Sequence, residues 1–116
     1  MRLFGPNTKL VLAYLARLSD LSPEDFARVA NAWWEADGRD RADAWAQVHR
    51  AAPERERYQI LAAASVARRE ALDAASRYHW PDWAFWAAAA DAAAAIAARD
   101  WIGRHYQTLI SPLAAV

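Results

Sequence analysis

The chain has no cysteine, one lysine, one methionine and only three glycines among its 116 residues. Without cysteine there are no disulfides and no thiolate metal sites. With few glycines and few β-branched residues, little in the chain favours a strand or a turn-rich sheet. There is no excess of charge: 14 basic residues face 14 acidic ones. Residues 39–77 carry eight arginines against six acids. That imbalance falls short of the concentrated basic face that nucleic acid requires. The longest apolar run, Trp83–Ala98, is shorter than a membrane-spanning helix and holds Asp91 at its middle, which excludes a transmembrane reading. The first residues lack the basic-then-apolar pattern of a secretory leader. These features lead us to expect a cytoplasmic protein.

What is present in quantity is alanine, with 31 residues, together with seven tryptophans. Alanine is the best helix former, so the expected fold is all-α. We expect a small bundle of five main helices plus a short C-terminal one, with residues 1–6 as an arm and 7–116 as a single helical domain. Helix 1 starts at Asn7 or Thr8 and runs to about Leu18. Ser22, Pro23 and Asp25 then supply a cap, a proline at the first helical position and an acid three residues beyond the cap. Helix 2 follows to about Ala36, and Gly38 is the expected stop. Helix 3 covers about 41–52, and Pro53 opens helix 4, about 54–78. On helix 4, Tyr58, Leu61, Ser65, Leu72, Ala75 and His79 define the expected apolar side.

Pro81 holds Trp80 extended, so the chain turns there. Helix 5 should run from about Asp82 to Ile102 and stop at Gly103, with a last helix over 104–110. The turn is short, so helices 4 and 5 are expected to form a long antiparallel hairpin. Helix 5 is apolar on most sides, which makes it either central in the bundle or shared between two copies.

Three groups of residues invite a functional reading. Trp80, Trp83, Phe85 and Trp86 crowd the start of helix 5. They either plug the end of an alanine-filled bundle or form a surface for a partner or ligand. Arg68 interrupts the apolar arc of helix 4, and a buried guanidinium needs a carboxylate or carbonyl. Its level along the hairpin matches Asp91, with Asp100 as the other acid toward the apolar side, so Arg68 is expected to form a buried polar pair with Asp91 or Asp100. His49, His79 and His105 show no i,i+3 or i,i+4 pairing that would clamp a metal. Ser65, Ser76 and Ser111 lack a strained turn or an adjacent base. No catalytic, cofactor or metal residue is therefore nominated. Helices 2 and 3 have the outline of a helix-turn-helix, with Arg39, Arg41 and Arg50 available for phosphates. Its acids, Asp40 and Asp43, would face a polyanion.

The C-terminal third, AAAAIAARDWIGRHYQTLISPLAAV, resembles small uncharacterised all-helical proteins of actinobacteria. An alanine helix runs into Ala-Arg-Asp-Trp-Ile-Gly, then a His-Tyr segment and a Pro-Leu tail. The resemblance implies a helical fold and no particular activity.

The leading expectation is a non-enzymatic helical module that binds a protein partner or itself as a homodimer. A weak DNA-binding or regulatory helix-turn-helix protein is the alternative. An enzyme or ligand binder with its pocket at Trp80–Trp86 and His79 or His105 is the third.

Overall fold

The computed structural model describes residues 4–35, 38–78, 83–102 and 110. After a 3-10 turn at Gly5–Asn7 come α1 (Thr8–Leu18), α2 (Pro23–Glu35), α3 (Gly38–Ala51), α4 (Glu54–Tyr78), α5 (Trp83–Ala97) and a single turn, α6 (Arg99–Ile102). There is no strand among the described residues. The fold is an all-α bundle in which α4 and α5 pack as a long antiparallel hairpin.

The bundle is built around α5. Eleven of its fifteen residues are buried, nine of them alanines between Ala84 and Ala97. The helix lies against α4, and α1 and α2 cover it from other sides. The alanine surface that a second copy would need is therefore closed by this chain's own helices. Only the stripe Trp83, Ala87 and Asp91, four residues apart, and Trp86 beside it retain access to water.

The hairpin interface is made of alanine on both sides. On α4 the buried row is Ile60, Ala63, Ala64, Ala67, Ala71 and Ala75. It shares Ala75 with the expected face, and Leu61 packs half-buried beside it, but the other described members differ. Tyr58 is 82% exposed, Ser65 is exposed and Leu72 lies at the edge. The reason is size: side chains of one carbon let two helix backbones approach closely, and dispersion over the whole contact replaces bulky side-chain burial. The large residues are left at the margins, and Arg68 lies beside the alanine row instead of within it.

The capping of α2 follows its sequence signature. The Ser22 N–H donates to Asp25 Oδ2 (3.0 Å), and the Asp25 N–H donates to Ser22 Oγ (3.2 Å). The Ser22 N–H, with help from its hydroxyl and from Arg28, holds the Asp25 carboxyl below the usual range. Other boundaries move. Gly38 opens α3 instead of stopping α2, because its backbone is helical. Asn7 does not cap α1 with its side chain. Its Nδ2 donates across the bundle to the Ala97 carbonyl (3.3 Å) and to Asp100 Oδ2 (3.2 Å). The Trp101 N–H turns to Ala98 O at 3.0 Å. An amide inserted at a helical carbonyl breaks the ladder, which is why α5 ends at Ala97 and not at Ile102. The expected start at Trp80-Pro81, the stop at Gly103 and all of the last helix except Ile110 lie outside the described residues.

Candidate functional site

The four aromatics nominated at the start of α5 have separate fates. Phe85 is fully buried and packs on Phe26 of α2, with ring centroids 4.9 Å apart. Trp86 is half-buried, and its Nε1 finds no hydrogen-bond partner. Trp80 lies outside the described residues. Trp83 turns outward and is 61% exposed.

Trp83 does not stand alone. Trp33 and Trp34, at the end of α2, meet it. The Trp33 ring is edge-on to Trp83 (4.9 Å, 87°) and to Trp34 (5.5 Å, 81°). Trp34 and Trp83 are inclined at 47° with centroids 5.5 Å apart. At these separations the rings fill the space between one another, so they form one contiguous aromatic cluster and leave no gap among them for a cation. Trp34 is 65% exposed. Helical periodicity from Phe26, Val29 and Ala30 puts Trp33 on the buried face of α2 and Trp34 at its edge, and in the structure Trp33 is half-buried. The adjacent Trp33-Trp34 pair was the signal available, since two neighbouring residues on a helix cannot share one face.

Beneath this surface lies a polar node. Asp91 is reached from three other helices. The Trp33 Nε1 donates to its Oδ2 at 3.5 Å. Arg68 Nη2 stands 3.6 Å from its Oδ1, as an ion pair beyond hydrogen-bond length. Arg41 of α3 adds a more distant positive charge. Burial pushes the Asp91 carboxyl above the usual carboxylate range, against the opposing pull of Arg68, the Trp33 N–H and Arg41. Two cation–π contacts frame the node: the Arg41 guanidinium lies 4.4 Å from the Trp33 ring centre, and that of Arg68 lies 5.3 Å from that of Trp45.

Of the two carboxylates expected as partners of Arg68, the structure brings Asp91 to it and not Asp100. Arg68 and Asp91 meet, although the Arg68 side chain remains 40% exposed. Asp100 is exposed and accepts from Asn7, because the break after Ala97 turns it away from the hairpin. On the far side of Asp91 from the surface, Tyr14 is buried in α1 and donates its hydroxyl to the Ala89 carbonyl at 2.7 Å.

Other features bear on the remaining readings. His49 is exposed on α3, while His79 and His105 lie outside the described residues. Among the described residues no group of three or more His, Asp or Glu side chains is placed to hold a metal ion. A groove of about 610 Å³ lies between the 3-10 turn, the first half of α4 and the end of α5. Pro6, Ile60, Ala63, Val66 and Trp101 line it, and its titratable groups, Glu56 and Tyr58, are both exposed. Of the cations proposed for a helix-turn-helix, Arg41 is engaged with Trp33, and Arg50 bonds Gln47 at 3.0 Å. No helix among the described residues is long and apolar enough to cross a membrane.

No known protein family, curated protein or solved structure matches this chain. Function is therefore argued from the surface itself. Its three rings come from two helices, α2 and α5, that pack against each other through Phe26 and Phe85, so the rings sit on a fixed frame. The Asp91 node holds Trp33 from below, leaving Trp34 and Trp83 as the outward-facing members.

Proposed function

We propose that this chain is a non-enzymatic helical module that binds protein, either another chain or a second copy of itself, through the surface formed by Trp34 and Trp83. The observation that carries the proposal is the exposure of two touching indoles, 65% and 61%, on rigid helices. Large aromatic surface left in water is unfavourable for an isolated monomer, and tryptophan is among the residues that dominate binding energy at protein interfaces. The module is placed in the cytoplasm in this reading.

The helix-turn-helix alternative has less support, because Arg41 lies against Trp33 where a phosphate contact would require it to project. An enzyme centred on the aromatic cluster has less still, because Phe85 is core and Trp83 is exposed to water.

The experiment is size-exclusion chromatography with light scattering over a concentration series, run on the native chain and on W34A/W83A, paired with binding assays against other proteins. Association that the double substitution abolishes supports the proposal. Association that survives the substitution places the interface elsewhere. A chain that binds neither itself nor any protein contradicts it.

A further inference from the structure

We infer that the occupant of the Trp34–Trp83 surface is a short segment of another protein bearing one or two bulky apolar side chains, and not a second copy of this chain. The inference rests on the protein-binding reading above and names the partner class for the same site.

The first argument is area. Two indoles at 65% and 61% exposure present together roughly 300 Å² of surface. A stable interface buries about 800 Å² on each partner. Among the described residues, the other large apolar side chains that remain exposed, Leu10, Leu12, Tyr58 and Leu72, lie on α1 and α4 and not on the two helices that build this surface. A folded copy of the same chain would bring only the same limited indole surface against this one. A flexible segment can wrap such a surface, which is how short motifs obtain affinity from a few anchors.

The second argument is closure. The alanine face of α5, a surface suited to close helix pairing between copies, is already covered by α1, α2 and α4. That leaves no small-residue seam on α5 for a second copy.

The third argument is charge. Glu35 follows Trp34 at the end of α2 and is exposed, while Arg41 stands over Trp33. Flanking charges of opposite sign offset one another and give no net attraction for a strongly basic or a strongly acidic partner. Selection then rests on apolar anchors that stack on the indoles, and binding should respond little to salt.

The test is panning of a random peptide library displayed on phage against the full folded chain, followed by titration of the enriched synthetic peptides by calorimetry. The expected result is a shared pair of bulky apolar residues without a charged run. Affinity should weaken about tenfold or more in W34A, which is a milder change than the double substitution. It should change less than about twofold between roughly 50 mM and 500 mM salt. Circular dichroism of W34A establishes that the fold is retained. Enriched peptides that are highly charged and lose binding in salt would overturn the inference. So would concentration-dependent dimers that W34A/W83A dissociates, although that outcome leaves the protein-binding reading standing. If neither peptides nor self-association depend on Trp34 or Trp83, both fail together.

Discussion

Trp34 on α2 and Trp83 on α5 hold their ring centroids 5.5 Å apart while most of each ring stays in water. Side chains kept for packing behave differently, as Phe85 shows two residues further along α5, where it is fully buried. The difference is measurable. Phe85→Ala should destabilise the fold by about 3–5 kcal/mol, the range for an aromatic removed from a core. Trp34→Ala and Trp83→Ala should each cost about 1 kcal/mol or less, because each loses only ring–ring contact at the surface. Urea unfolding of the three variants checks the contrast.

Asp91 gives the fold a pH dependence of definite sign. Its carboxyl is raised by burial, so the folded chain holds that proton more tightly than the unfolded chain does. Stability from this group is fully present at low pH, where it is protonated. It falls as pH rises from the ordinary carboxylate range through the raised folded value, and is flat above it. Asp91→Asn keeps a carbonyl for the Trp33 N–H and removes the titration. The stability of the native chain relative to this variant should therefore decline across that window. A difference that grows with pH would show that Arg68 and Arg41 outweigh burial.

Tyr14 titrates in the alkaline range. Burial raises its phenol well above the usual value, against the nearby Arg17 charge and with Asp91 adding to the rise. The folded chain again retains the proton longer, so stability is lost as pH climbs from the ordinary tyrosine range toward the folded value. Tyr14→Phe should lower stability by about 1 kcal/mol at neutral pH through loss of the bond to Ala89. It should also make alkaline unfolding shallower, as followed by circular dichroism.

The alanine seam makes the hairpin sensitive to added volume. Ala67 and Ala93 are completely buried on α4 and α5. Ala67→Leu or Ala93→Leu should destabilise by about 1–3 kcal/mol or more, since the backbones must separate to admit the extra carbons. Alanine to serine at an exposed site such as Ala42 serves as the control and should change stability by less than about 0.5 kcal/mol.

How far the sequence disclosed this structure depends on the scale of the signal. The helices and the hairpin follow from alanine content, Pro23, Pro53 and the Ser22–Asp25 cap, all of which act within a few residues. The polar exceptions Arg68 and Asp91 could be matched by counting along two antiparallel helices. The buried face of α4 could not be read from side-chain bulk and hydrophobicity, because Leu72 is more hydrophobic than alanine and Tyr58 carries a larger apolar body, while alanine wins by its small size. The end of α5 at Ala97 was equally hidden, since it depends on Asn7, which lies far away in sequence. The candidate surface was half legible. Trp83 belonged to an evident cluster, but its partners Trp33 and Trp34 come from another helix, and only tertiary packing brings them together.

The most direct test of the Trp34–Trp83 surface is to follow the indole N–H resonances of the native chain by NMR while an enriched peptide is added. The signals of Trp34 and Trp83 should shift first and furthest, with Trp33 following and the amides around the buried Phe85 and Ala93 little changed. Shifts centred on the groove between Tyr58 and Trp101, with the Trp34 and Trp83 signals unmoved, would contradict the assignment.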